Sequence, residues 1–319
     1  MSEFSIIEKY FANITEIRSD VKLGIGDDAA ILSIPKNSQL AVSVDTLISG
    51  THFPAFTSAY DIGWKSLAVN LSDMAAMAAR PCWATLAITL NNEDEKWLRD
   101  FADGFSDLAN RYNVQLIGGD TTSGALSLTV QIIGLVENKC VTSRSRAQVG
   151  DKVYVTGYLG DAALGLQTYS KKISNAEDHL SYLRKRLNRP EPRINEAIEL
   201  CEYVNAAIDI SDGLLADLQH ILDASNVGAT IETRLLPLST AYQQVNKADN
   251  ICDYAISGGD DYELCLVIAK EKEAAFLSKI KQIPLLVTKI GEITLDNKLS
   301  LFNNGEVYDS QVKGYNHFS

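Results

Sequence analysis

Acidic side chains recur directly after apolar or small-residue runs in this sequence. The first case is the glycine-spaced turn from Gly24 to Ala30, which carries adjacent carboxylates at Asp27 and Asp28. Later segments end in the same way, and their acids are Asp45, Asp73, Asp120, Asp209 and Asp212. Carboxylates gathered in one place repel each other unless a hard cation lies between them, and Mg²⁺ and Ca²⁺ prefer oxygen ligands. The pattern therefore predicts a shared Mg²⁺ site.

The segments around these acids predict strands and helices that deliver them. Asp45 is expected where a strand stops, Asp73 on a helix with Asp61 as its N-cap, and Asp120 just after a short buried strand. The predicted strands span 29–34, 40–44, 86–90, 114–117, 127–136, 152–156, 206–210, 229–232 and 264–268. The main predicted helices span 61–79, 93–112, 177–187, 193–203 and 212–224. Strands and helices mixed in this way predict an α+β fold.

Length and composition indicate two globular domains. The chain has 319 residues, 46% hydrophobic and 22% charged, with a mean hydropathy of -0.04. The strand and helix pattern restarts near Gly150, so we expect an N-terminal domain at 1–149 and a C-terminal domain at 150–319. A net charge of -12 and a pI near 4.8 argue against partners such as nucleic acid or anionic membranes. The basic segment from Arg184 to Arg189 is expected to be a solvated helix face.

The cysteines and the N-terminus predict a cytoplasmic protein. Five cysteines are scattered without a Cys-x-x-Cys pair, which argues for reduced thiols and against a disulfide framework or a zinc cluster. The N-terminal residues do not have the pattern of a signal peptide. No run approaches the roughly 18 apolar residues that a membrane span needs.

Lysine-based nucleotide motifs are absent from the sequence. It contains neither a Gly-x-x-x-x-Gly-Lys-Ser/Thr loop nor the lysine and catalytic-loop set of protein kinases. A protein that binds a triphosphate without those lysines needs Mg²⁺ to neutralise it, which an array of aspartates would hold. Gly119 and Arg144 are candidates to meet phosphate, with an ordinary turn and an exposed loop arginine as the alternatives. His52 is a candidate to reach a substrate, or else a packed turn residue, and no residue pattern requires a covalent intermediate.

Six segments taken together resemble the thiamine-monophosphate kinase family. They are Gly-Ile-Gly-Asp-Asp-Ala-Ala, Ser-Val-Asp-Thr-Leu with Gly-Thr-His-Phe, Ala-Val-Asn-Leu-Ser-Asp-Met-Ala-Ala-Met, Leu-Ile-Gly-Gly-Asp-Thr-Thr, Ala-Ile-Asp-Ile-Ser-Asp-Gly-Leu and Ser-Gly-Gly-Asp-Asp-Tyr-Glu-Leu. The resemblance implies a two-domain aminoimidazole ribonucleotide synthetase-like fold whose N-terminal domain pairs in a homodimer. It also implies transfer of the ATP γ-phosphoryl group to thiamine monophosphate by direct in-line attack.

The resemblance further implies roles for individual residues. Several Mg²⁺ ions would be held by Asp28, Ser43, Val44, Asp45, Asp73, Asp120, Asp209 and Asp212. ATP would be contacted by Gly119, Asp120, Arg144 and Ser211, and thiamine monophosphate by His52, Asp260 and Tyr315. Val44 stands where relatives commonly carry threonine, so it can serve a metal only through its backbone carbonyl. Asp260 stands where glutamate is common, which shortens its reach by one methylene.

Other functions of an acidic metal site remain open from sequence. A metal-dependent phosphohydrolase would release phosphate from ATP without thiamine monophosphate, and another ATP-dependent enzyme of the same fold would use a different acceptor. A nucleotide or Ca²⁺ binder would hold its ligand without turnover. ADP formation measured with and without thiamine monophosphate separates these alternatives.

Overall fold

A computed structural model describes residues 2–92, 94–140, 142–170, 176–247 and 251–308 of the chain. The chain divides into two compact units. The first contains Met1–Met74 and Ala79–Asn138, and the second contains Ala75–Ala78 and Lys139–Ser319. The domain boundary at 149/150 stays a prediction.

The first unit begins with a short helix and contains a small and a larger sheet. Its helices are α1 (Glu3–Tyr10), α2 (Ala59–Ala76) and α3 (Glu95–Arg111). Its strands are β1 (Val21–Leu23), β2 (Ile31–Leu32), β3 (Ser38–Ile48), β4 (Arg80–Leu90), β5 (Gln115–Ser123) and β6 (Ser127–Glu137). A 3₁₀ turn at Asn138–Cys140 follows β6.

The larger sheet of this unit has the strand order β3-β6-β4-β5, with β4 and β5 parallel and the other pairs antiparallel. Helix α2 is buried on nearly all sides, because polar residues such as Lys65 and Asn70 are buried along with Leu67, Leu71 and Met74. The order makes β3 an edge strand. Its side chains alternate, so Ser43 and Asp45 share one face while Val42 and Val44 lie on the other.

Several element bounds differ from the sequence predictions, and three of them concern the elements that carry Asp45, Asp120 and Asp73. The strand carrying Asp45 does not stop there but continues to Ile48, because β6 pairs with it along its whole length. The strand before Asp120 likewise continues to Ser123, since its parallel pairing with β4 satisfies the backbone. Helix α2 begins before Asp61, and the Ser58 hydroxyl accepts from the Asp61 amide at 3.1 Å, as an N-cap does.

The second unit is built on a larger sheet. Its helices are α4 (Asp161–Ser170), α5 (Glu177–Asn188), α6 (Ile194–Leu200), α7 (Leu214–Ser225), α8 (Thr240–Val245), α9 (Asp253–Ser257) and α10 (Glu273–Ile280). Its strands are β7 (Lys152–Thr156), β8 (Val204–Asp209), β9 (Gly228–Glu232), β10 (Leu264–Ile268), β11 (Val287–Thr294), β12 (Leu299–Asn303) and β13 (Glu306–Val307). Short 3₁₀ turns lie at Cys201–Tyr203, Thr233–Leu235 and Lys270–Lys272.

The seven strands follow the order β13-β12-β9-β11-β7-β10-β8. The β12 and β9 pair is parallel and the remaining pairs are antiparallel. Buried aliphatic side chains from β7, β8, β10 and α7 form the core, among them Val153, Ile208, Leu218 and Val267. Both units therefore mix helices with a largely antiparallel sheet, and the predicted α+β class is confirmed.

The cysteines differ from the prediction that all are reduced. Cys140 and Cys201 form a disulfide with a Cα–Cα distance of 5.2 Å, while Cys82, Cys252 and Cys265 are free and buried. A separation of 61 residues along the chain hides this pairing from sequence spacing. Within the described residues, no helix is long and apolar enough to cross a membrane.

Candidate active site

An acidic pair lies where β3 faces α2 in the first unit. Asp45 comes from β3 and Asp73 from α2, and the Ser43 hydroxyl donates a hydrogen bond to Asp73 Oδ2. Burial raises the pKa of Asp45 to about 6, with further contributions from the charge of Asp73 and a hydrogen bond to it. Two carboxylates that repel each other in a half-buried place, beside a hydroxyl oxygen, fit a hard cation. Val44 is 56% exposed on the opposite face, so only its backbone carbonyl is available to such an ion.

A second group of predicted residues surrounds one cavity of the first unit. The cavity, of about 430 Å³, lies between α1, the Gly24–Ala30 turn and β5. Asp27, Asp28, Gly119 and Asp120 line it, opposite apolar side chains of α1 such as Ile7. The structure therefore brings Asp28, Gly119 and Asp120 to one place, although 92 residues separate the two aspartates in sequence.

The backbone at Gly119 can be formed only by glycine. Its φ is +154°, and a Cβ at this position would lie 1.9 Å from the Leu86 carbonyl oxygen of β4. The next residue, Asp120, is exposed, and its Oδ1 accepts from the Thr121 amide at 2.9 Å. The close approach of β5 to β4 thus fixes the backbone position from which the Asp120 side chain extends.

His52 lies in a tight loop just after β3. Its Nδ1 accepts from the Ile48 amide at 3.0 Å, so the neutral imidazole carries its proton on Nε2. Lys65 of α2 is 2% exposed, and its Nζ donates to the His52 carbonyl oxygen at 3.2 Å. Sequence reasoning missed Lys65, since a lysine in a helical stripe gives no signal of burial. The loop thus holds His52 in the tautomer whose Nε2–H group can donate a hydrogen bond to an anionic oxygen.

In the second unit, the predicted residues meet at the end of β8. Asp209 is 5% exposed, and the turn that follows carries Ser211 and Asp212. The Asp260 amide donates to the Ser211 carbonyl at 2.9 Å, and the Tyr262 amide donates to the Ile210 carbonyl at 2.9 Å. These hydrogen bonds bring Asp209, Ser211, Asp212 and Asp260 together.

The Asp260 loop is held by a buried ionic anchor. Glu263 is fully buried, and its carboxylate accepts from Arg186 Nη2 at 2.8 Å, Arg193 Nε at 2.7 Å and Thr156 Oγ1 at 2.7 Å. The prediction of a solvated face for 184–189 is therefore wrong at Arg186, which is turned inward by its partner Glu263. Burying the Glu263 carboxylate is tolerated because two guanidinium groups and a hydroxyl satisfy it.

Two predicted residues fall outside these groups. Arg144 is exposed in the second unit, where its carbonyl accepts from Ser225 Oγ at 2.8 Å. Tyr315 lies outside the described residues. Over the part of the chain that is described, no three His, Cys, Asp or Glu side chains are clustered closely enough to hold a metal ion alone. Any Mg²⁺ at Asp45 and Asp73 therefore takes further ligands from backbone, hydroxyl, water or phosphate oxygens.

The acidic pair is expected to affect stability in the absence of metal. Between about pH 4 and about pH 6 the folded protein keeps a proton on Asp45 that the unfolded chain has released, because the folded pKa is raised. The resulting contribution to the free energy of unfolding is present in full at low pH and is lost as the pH rises through about 6. We expect Asp45→Asn to gain stability relative to the wild type as the pH increases. Urea unfolding in a chelator at about pH 4 and about pH 7 measures this difference, and a difference that does not change with pH would contradict it.

Comparison with known proteins identifies relatives over the whole length. The family model for the N-terminal domain of AIR synthase related protein matches residues 26–136, and the C-terminal model matches 148–303. The thiamine-monophosphate kinase of Escherichia coli K12 is 45% identical over 320 residues, covering 99% of this chain and 98% of the relative.

Solved structures give the same result. The thiamine-monophosphate kinase of Stenotrophomonas maltophilia K279a superposes with a TM-score of 0.87 at 44% identity, covering 97% of this chain and 98% of that one. AaThiL complexed with AMPPCP and TMP superposes with a TM-score of 0.79 at 29% identity, covering 90% and 89% of the two chains.

Proposed function

This chain belongs to the thiamine-monophosphate kinase family, and from that membership we infer that it transfers the γ-phosphoryl group of ATP to thiamine monophosphate. The products are thiamine diphosphate and ADP. The observation that carries this conclusion is 45% identity across 99% of the chain. The bound pair in AaThiL, AMPPCP and TMP, supports the same two substrates here.

Mg²⁺ is the proposed cofactor, and the acidic pair supports it. Asp45, Asp73 and Ser43 supply oxygens at one place. The Val44 carbonyl is proposed as a further ligand. Mg²⁺ commonly uses one or two carboxylates, keeps several waters and binds substrate phosphates. The absence of a three-acid cluster among the described residues suits this mode of binding. Further Mg²⁺ ions are proposed at Asp28, Asp120, Asp209 and Asp212.

The chemistry requires charge neutralisation more than covalent catalysis. Two phosphate-bearing substrates repel each other, and cations between them permit close approach and stabilise the transferring group. We assign ATP to Gly119, Asp120, Arg144 and Ser211, and thiamine monophosphate to His52, Asp260 and Tyr315. His52 Nε2–H is suited to donate to an anionic oxygen of the acceptor phosphate, given its tautomer. An acidic site also suits the positive thiazolium ring, with Tyr315 as a stacking face.

A test of the proposed function measures ADP formation with Mg²⁺ in the presence and absence of thiamine monophosphate. We expect strong dependence on both, with thiamine diphosphate formed in equal amount to ADP. ADP release that is indifferent to thiamine monophosphate would favour a phosphohydrolase. Binding of ATP without turnover would favour a nucleotide-binding protein.

A homodimer through the N-terminal domain is a further part of the proposal. One face of the edge strand β3 exposes a row of apolar side chains, each 43–57% exposed: Leu40, Val42, Val44 and Ile48. Such a row on an edge strand is a liability in a monomer unless another surface covers it. We also propose that the protein is cytoplasmic. The three free thiols favour this location, whereas the disulfide does not.

Val42→Asp tests the dimer. An unpaired charge buried in the interface is expected to weaken the dimer at least about a hundredfold. Analytical ultracentrifugation over a range of concentrations measures this change. Leu295→Asp is the matched control, because Leu295 is 81% exposed in the second unit. Equal sedimentation of the Val42→Asp variant and the wild type would reject β3 as the interface.

A further inference from the structure

Asp217 is a buried carboxylate that holds the turn after β8. It lies in the first turn of α7 and is 3% exposed. One oxygen, Oδ2, accepts from the backbone amides of Ser211 at 3.0 Å, Asp212 at 3.0 Å and Gly213 at 3.1 Å. Three successive amides are thus directed at a single atom of the protein itself. Sequence reasoning did not assign Asp217 a role.

These hydrogen bonds engage the amides of the turn that leads into α7. Free amides at a helix N-terminus commonly bind phosphate. The three amides that lead into α7 are already satisfied by Asp217 Oδ2, so they do not serve as a phosphate cradle. Asp217 contacts Ser211 and Asp212 through their backbone amides and not through their side chains. The turn therefore presents a hydroxyl and a carboxylate on a fixed backbone.

The turn is also confined from the outside. Gly213 has a φ of +114°, and a Cβ there would lie 2.7 Å from the backbone of Ser257. The Ser211 carbonyl accepts from the Asp260 amide at 2.9 Å. A shift of the 211–213 backbone would therefore move the loop that carries Asp260 as well.

We propose that Asp217 is a positioning residue for the nucleotide side of the reaction, acting through the Ser211–Gly213 backbone on Ser211 and Asp212. This proposal rests on the proposed function, which assigns Ser211 to ATP and Asp212 to Mg²⁺. Hydrogen bonds to one fixed oxygen hold both side chains in place before ligands arrive, which lowers the cost of ordering them on binding.

Asp151 provides a matched control in the same unit. It is 2% exposed, and its carboxylate accepts from the Gln148 amide at 2.9 Å, Asn205 Nδ2 at 2.8 Å and the Lys270 amide at 3.2 Å. Asp151 precedes β7 and contacts the start of β8, whereas Asp209 ends β8. The four-residue step along β8 from Asn205 to Asp209 separates the two aspartates by roughly 13 Å. Loss of Asp151 therefore tests the cost of deleting a buried aspartate away from the site.

The experiment compares Asp217→Ala, Asp217→Asn and Asp151→Ala in the full chain. Asn keeps an acceptor oxygen for the three amides, whereas Ala removes it. We expect the KM for Mg²⁺-ATP to be at least about tenfold higher in Asp217→Ala than in Asp151→Ala, when the two variants lose the same amount of Tm. The KM of Asp217→Asn should stay within about threefold of the wild-type value. Equal KM values for the two alanine variants, or no rescue by Asn, would overturn the proposal.

A second measurement does not depend on turnover. Amide hydrogen exchange at Ser211, Asp212 and Gly213 is expected to be slow in the wild type and in Asp217→Asn, and at least about tenfold faster in Asp217→Ala. Calorimetric binding of AMPPCP with Mg²⁺ should follow the same order. If the wild type forms no thiamine diphosphate, the proposed function fails while these two readouts still test the positioning role. Fast exchange of all three amides in the wild type would overturn the positioning role. If Asp217→Ala does not fold, amide exchange in the wild type and in Asp217→Asn tests that role instead.

Discussion

Asp45→Asn is expected to lower kcat/KM for thiamine diphosphate formation by roughly a thousandfold, because it removes a full charge from a site that must hold a cation against phosphate. Asparagine keeps the shape and one oxygen, so the loss reports charge and not packing. Burial, followed by the negative charge of the neighbouring Asp73, raises the pKa of Asp45 to about 6. A bound cation would lower the pKa of Asp45 again, so that the carboxyl group loses its proton.

The measurement is a Mg²⁺ titration of the reaction rate in the variant and the wild type. Asp103→Asn is the matched control, since Asp103 is an exposed residue of α3. Activity and stability should move in opposite directions in Asp45→Asn, with lower turnover but greater resistance to urea in a chelator at neutral pH. A variant that retains a tenth or more of the wild-type rate would exclude Asp45 as a metal ligand.

Gly119→Ala is the second change with a large expected effect. The new methyl group would lie 1.9 Å from the Leu86 carbonyl oxygen, and the φ of +154° disfavours any side chain. Either β5 moves away from β4 or the backbone rotates, and both displace Asp120. We expect at least about a hundredfold loss of kcat/KM and a loss of about 2 kcal/mol or more in the free energy of unfolding.

The adjacent glycine provides the control for this experiment. A Cβ at Gly118 would meet only the Thr85 methyl group, at 3.9 Å, which is ordinary contact. Gly118→Ala should therefore keep activity within about threefold of the wild type. Thermal unfolding and steady-state kinetics on both variants decide the matter. Similar losses in the two variants would mean that the strand tolerates neither methyl group, and the specific role of Gly119 would be rejected.

Local patterns predicted much of the fold. Strands β7 and β10 have the bounds expected from their apolar runs, because short buried runs flanked by turn residues leave little choice of register. The structure brings Asp45 beside Asp73, while the shared Mg²⁺ site stays a prediction.

Features that depend on partners far along the chain could not be predicted. Glu263 lies 77 residues from Arg186, and nothing near either residue signals that the two form a buried ion pair. The extension of β3 past Asp45 depends on β6, which pairs with it residue by residue. The grouping of Asp28 with Asp120 depends on the path of β5 beside the Gly24–Ala30 turn. Asp217 left a weak signal, an acid in the first turn of a helix, which is common for reasons unrelated to a site.

The backbone of the Asp260 loop affects how mutations there should be interpreted. Asp260 has a φ of +69° and Tyr262 a φ of +49°, which non-glycine residues seldom adopt. Aspartate and asparagine tolerate this left-handed conformation better than most residues do. Alanine scanning at position 260 would therefore combine two effects, a lost carboxylate and a distorted main chain, and would overstate the role of the charge. Asparagine separates them, since it keeps the main-chain preference and changes only the ionisation.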